Sequence, residues 1–73
     1  MDIDLYTITF MAILFDEKLP CQISGHILYP MQSHRIHVVV KDLFYLSDGL
    51  RIRPERGFFW VKPSDFIEVR EHT

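Results

Sequence analysis

Cysteine is almost missing from this chain, with Cys21 alone among 73 residues. No internal disulfide can staple the fold, and a lone thiol argues for a reducing compartment over a secreted disulfide scaffold. Glycine is scarce as well. Gly25, Gly49 and Gly57 stand far apart, which excludes a glycine-rich phosphate loop. No apolar run approaches the ~20 residues that a membrane-spanning helix takes. The run from Tyr6 to Phe15 follows Asp2 and Asp4, where a signal peptide carries positive charge, and no small-residue cleavage site comes after it. The expected location is cytosolic.

A strong charge of either sign is also lacking, since the net charge is -2. Its distribution is uneven. Residues 1–30 balance to −3, residues 31–62 to +3 and residues 63–73 to −2. The basic middle holds Arg35, Lys41, Arg51, Arg53, Arg56 and Lys62. Such asymmetry can mark a nucleic-acid face, although an excess of three charges is a small one.

What the chain does have is apolar mass. It is 48% hydrophobic, with six Phe, three Tyr and one Trp. A single domain of this length buries only about 60% of the surface of its unfolded form, so it needs that richness to fold unaided.

Turn-forming clusters cut the sequence into strand-length pieces. They are Asp16–Pro20, Pro30–Ser33, Ser47–Gly49 and Pro54–Gly57. Leu5 to Phe15 is rich in Thr, Ile, Phe and Tyr, which favours a long strand. Both its faces are partly apolar, so periodicity leaves a helix as the alternative. Gln22 to Tyr29 alternates cleanly, with Gly25 marking a bulge or sharp bend. Ile36, Val38 and Val40 alternate with His37, Val39 and Lys41. Asp42 to Leu46 either extends that strand or makes a short helical turn.

The clearest element is a hairpin of Leu50–Arg53 and Phe58–Val61 around Pro54–Gly57. A turn centred on Glu55 and Arg56 sets Arg53 opposite Phe58, Ile52 opposite Phe59, Arg51 opposite Trp60 and Leu50 opposite Val61. Side chains alternate across a strand. Leu50, Ile52, Phe59 and Val61 therefore share a core face, and Arg51, Arg53, Phe58 and Trp60 share the other. Pro63–Asp65 makes a tight turn before a last strand, Phe66 to Arg70. The expected fold is a mostly β, five- to six-stranded antiparallel barrel or bent sheet with at most one short helical turn.

The segment Pro63-Ser64-Asp65-Phe66-Ile67-Glu68-Val69 resembles the C-terminal signature of Src-homology-3 domains, roughly Pro-Ser-Asn-Tyr-Val-Glu. Ala12-Ile13-Leu14-Phe15-Asp16 is similar to the family's N-terminal Ala-Leu-Tyr-Asp-Tyr stretch. The family's paired Trp residues and acidic loop have no counterpart here. The resemblance implies a Src-homology-3-like barrel in which a one-turn 3-10 helix leads into the closing strand. It also implies proline-rich peptide binding at Pro63 and Phe66, where Phe66 lacks the hydroxyl of the family's Tyr. Fold analogy does not carry function by itself.

Cys21, His26, His34 and His37 are the candidate metal ligands. Cys21 and His26 are five residues apart and His34 and His37 three apart. Odd separations on a strand point to opposite faces, and a structural zinc site needs four converging ligands. No metal or other cofactor is therefore expected. Ser24, Ser33, Ser47, Ser64 and Cys21 lie in no nucleophile motif, and Asp16-Glu17 falls in a turn. An enzyme is not expected.

The outer hairpin face is the remaining candidate. Alternating cations and rings can simply pack on each other across the strands. They can also form a binding face, since Trp and Arg are enriched in hot spots. Arg51, Arg53, Phe58 and Trp60 are its centre, with Arg56, Lys62, His37 and Lys41 as extensions. The leading expectation is a non-catalytic module that binds and modulates, or inhibits, a larger protein or complex. The alternative is a single-stranded nucleic-acid binder that stacks bases on Trp60 and Phe58. Burial of the same face in a homodimer is a third reading.

Overall fold

Residues 3–14, 16–32 and 37–72 are described in a computed structural model of the chain. Phe15 ends the first apolar run, Ser33 falls in a turn cluster, His34 is a candidate ligand, Arg35 belongs to the basic middle and Ile36 opens the third run. They lie outside the described residues. Among the described residues, alternation of apolar and polar side chains produces seven strands: β1 (Tyr6–Leu14), β2 (Glu17–Ser24), β3 (Ile27–Pro30), β4 (Val38–Leu46), β5 (Gly49–Pro54), β6 (Phe59–Val61) and β7 (Phe66–Glu71). They form one antiparallel curled sheet in the order β6-β5-β4-β3-β2-β1-β7. The first six strands meander, and β7 returns to the open side of β1.

The first apolar run is a strand, because Ile8, Phe10, Ala12 and Leu14 bury on one side in steps of two. Cys21 and Ile23 of β2, Leu28 of β3, Leu50 and Ile52 of β5 and Val61 of β6 complete most of the core. Each is an alternate residue of its strand. β6 comes up against β1, and this draws the sheet into a partial barrel around these side chains.

The strand count exceeds the expected five or six for a local reason. Of the bulge or sharp bend expected at Gly25, the structure has the sharp bend. With φ of 58°, Gly25 opens a two-residue turn with His26, so Ser24 pairs Ile27 and the run splits into β2 and β3. Within the Asp16–Pro20 cluster only Asp16 is in a turn. Its φ of 63° suits the tight link between Leu14 and Glu17, and Glu17–Pro20 already belongs to β2. Among the described residues, 3-10 turns occur at Ile3–Leu5 and Pro63–Asp65. Pro63 opens the second, where its fixed φ suits a first helical position, and β7 follows directly.

Residues 42–46 are strand, and they carry a change of phase. Val38 and Val40 point inward, yet Leu43 is the next buried residue. A bulge at Lys41 supplies the extra residue: Val40 pairs Pro54 and Asp42 pairs Arg53. From there Leu43 and Tyr45 face the core side, and Phe44 and Leu46 face out.

Candidate functional site

The β5–β6 pairing matches the register expected for three of its four pairs: Leu50 with Val61, Arg51 with Trp60 and Ile52 with Phe59. Leu50, Ile52 and Val61 are buried, and Phe59 packs against the core. Arg51 and Trp60 share the outer face. The guanidinium carbon of Arg51 stands over the Trp60 ring, 5.0 Å from its centroid. That is a cation–π distance.

The fourth pair is different. The ladder ends at Ile52–Phe59, so Phe58 lies beyond it and Arg53 has no ring opposite. Arg53 instead forms an ion pair with its neighbour on the other side, Asp42 of β4. Phe58 projects at the mouth of the loop with 76% of its surface exposed.

β4 contributes what sequence reasoning missed. Phe44 lies directly opposite Arg51 and is 57% exposed. Phe44, Arg51 and Trp60 therefore form one row across three strands. With Arg53, Phe58 and Asp48 they border an open cleft of about 660 Å³. A signal for Phe44 was present in the chain. Lys41-Asp42 places two charged residues in succession within an alternating run, a break in alternation of the kind an inserted residue produces.

The expected extensions are elsewhere. His37 precedes β4, with its ring 5.7 Å from that of Tyr29. Lys41 is exposed at the bulge. Arg56 borders a separate cleft with Leu14, Val39 and Phe59. Lys62 is exposed at the start of the Pro63–Asp65 turn. None of the four lines the Phe44–Trp60 cleft. Known protein families, curated proteins and solved structures provide no match to this chain.

The candidate ligands are also dispersed. Cys21 is buried in the core, where its thiol donates to the Leu19 carbonyl at 3.4 Å. Burial pushes the thiol up to about 11, against a smaller opposing pull from the Ala12 backbone. A thiol held protonated in this way is a poor nucleophile. His26 lies 3.6 Å from Asp4, and His37 is beside Tyr29. No three metal-ligating side chains cluster among the described residues. Phe66, at the position linked to proline-rich binding, stacks on Tyr45 with ring centroids 5.7 Å apart. Its ring is thus committed to packing from the inner side.

Proposed function

We propose that this chain is a non-catalytic binding module that engages a larger protein through the Phe44–Arg51–Trp60 row and Phe58, and modulates that protein by occupying it. One observation carries the reading. Two phenylalanines, at 57% and 76% exposure, flank a tryptophan and two arginines around a single cleft. Large exposed rings grouped in this way mark interaction sites, and Trp and Arg anchor most hot spots. A Src-homology-3-like account of the barrel belongs to the same proposal. It is supported by the 3-10 turn at Pro63–Asp65 that leads into β7.

Single-stranded nucleic acid is the weaker occupant. Arg51 covers the Trp60 ring, Arg53 is engaged by Asp42, and Asp48 adds negative charge to the cleft border. Base stacking needs an open ring, and phosphate tracking needs uncompensated cations.

The test is comparative capture from a lysate of the host, with and without nuclease, using the wild-type chain, Phe58→Ser and Phe44→Ser. Both positions are exposed, so folding should survive. The expected result is a set of proteins captured by wild type, resistant to nuclease and lost with both variants. Capture that persists in both variants, or that disappears with nuclease, rejects the reading. Oligonucleotide anisotropy in about 50 mM salt, where phosphate contacts are strong, should show no binding.

A further inference from the structure

β7 ends the sheet, with β1 on one side and no strand on the other among the described residues. Its backbone direction can be worked out. The His72 N–H donates to the Leu5 carbonyl at 2.8 Å, on the β1 side. Bonded and non-bonded positions alternate along an antiparallel ladder. Arg70 and Glu68, opposite Thr7 and Thr9, therefore also bond toward β1. Val69 and Glu71 direct their N–H and C=O groups to the open side. A row of this kind is a template for another strand unless it is blunted. β7 has neither proline nor lysine to blunt it, and Ile67 and Val69 are 58% and 37% exposed.

We propose that two copies of this chain associate by antiparallel pairing of β7 with β7 about a two-fold axis at Val69. The register follows from two constraints. Outward-bonding positions must meet outward-bonding positions, which excludes any axis lying between two residues. Charge then chooses among the axes that remain. An axis at Val69 sets Glu68 opposite the second copy's Arg70, and Arg70 opposite its Glu68. An axis at Glu68, Arg70 or Glu71 sets that charge against itself, and an axis at Ile67 places Glu68 opposite Phe66 and Arg70 opposite Ser64, with no complementary charge. Glu68 and Arg70 already form an ion pair within one chain, so both charged groups lie on the same side of the strand. In the pairing they occupy non-hydrogen-bonded positions, where side chains approach most closely and opposite charges stabilise. The charges on this edge are self-complementary instead of protective.

One strand pair buries less than the ~1,200 Å² of a standard stable interface, so the dimer should be weak and concentration-dependent. This contact is separate from the Phe44–Trp60 cleft and does not rest on the proposed function. The test is sedimentation equilibrium of the wild type, Glu68→Arg and Arg70→Glu, each checked for folding by circular dichroism. Wild type should dimerise in the range of about 10–500 µM, as expected for a small interface. Each charge reversal should weaken dimerisation by roughly tenfold or more, because like charges then face each other twice. An equimolar mixture of the two variants should restore a dimer, since all four charges become complementary. A wild-type chain that stays monomeric across that range overturns the proposal. So does a dimer that survives both reversals, or one lost in Phe58→Ser, which would place the contact on the cleft.

Discussion

Gly49 lies against the Trp60 indole so closely that a Cβ on Gly49 would fall 2.6 Å from Cζ2 of that ring. The same carbon would sit 2.5 Å from the Val61 carbonyl oxygen. With φ of 142°, Gly49 also holds a backbone conformation that other residues rarely adopt. The missing side chain is what lets Trp60 settle beneath Arg51. The hairpin turn and the cleft are thus one packing unit.

Gly49→Ala is therefore expected to destabilise the fold by about 2–4 kcal/mol, combining overpacking with backbone strain. Urea denaturation measures the loss. Trp60 is the only tryptophan, so its fluorescence reports the second consequence: a red-shifted native emission as the indole is displaced. Native stability and emission both unchanged would show that the ring does not depend on this contact.

Lys41 gives a second expectation. Its side chain is exposed, so Lys41→Ala should change stability by no more than about 0.5 kcal/mol. Deleting Lys41 removes the extra residue and leaves Val40, Asp42 and Leu43 alternating strictly against Pro54, Arg53 and Ile52, so every later β4 side chain keeps its face. Inserting one alanine after Lys41 adds a second unpaired residue, which forces either Leu43 or Val40 out of register. Thermal unfolding should show a cooperative transition for the substitution and the deletion and a sharply lowered midpoint for the insertion. A deletion that collapses the midpoint, or an insertion as stable as wild type, would mean that Lys41 is not the extra residue of the β4–β5 ladder.

Cys21 gives a third. Burial raises its pKa to about 11 in the folded chain, from an ordinary value of 9.0. Between these values the unfolded chain has released its thiol proton and the folded chain keeps it. The contribution is complete below pH 9 and is lost as pH rises through about 11, so stability falls with pH. Cys21→Ala should flatten that part of the profile relative to wild type, as read by urea midpoints from pH 8 to pH 10.5. A thiol-specific reagent should also label native Cys21 only as fast as the protein opens. Equal slopes in the two proteins, or rapid native labelling, would contradict this account.

Much of the fold was legible because side-chain alternation is local. The runs containing Ile23, Val40, Ile52 and Val61 announce strands with one apolar side, whereas the run containing Ile8 is apolar on both faces and its composition alone favours a strand, and the hairpin register of Arg51 with Trp60 follows from strand geometry and turn length. Gly25 was harder to place. A glycine in an alternating run fits either a bulge or a two-residue turn, and only pairing of Ser24 with Ile27 separates them. The residues expected to extend the site lie away from the cleft for a similar reason. His37 and Lys41 are on the correct neighbouring strand or just before it, but adjacency of strands does not specify which positions meet.

The sequence by itself determined that this is a small β-protein, and that Arg51 and Trp60 share a face opposite Leu50 and Val61. Both follow from the two-residue period of a strand, which needs no knowledge of the rest of the molecule. Only the tertiary structure decided that Phe44 joins that face, that Arg53 answers Asp42 instead of a ring, and that β7 is left with an open edge. Each of these depends on how strands distant in the chain come into register. A single bulge residue or the curl of the whole sheet alters that register without altering any local preference.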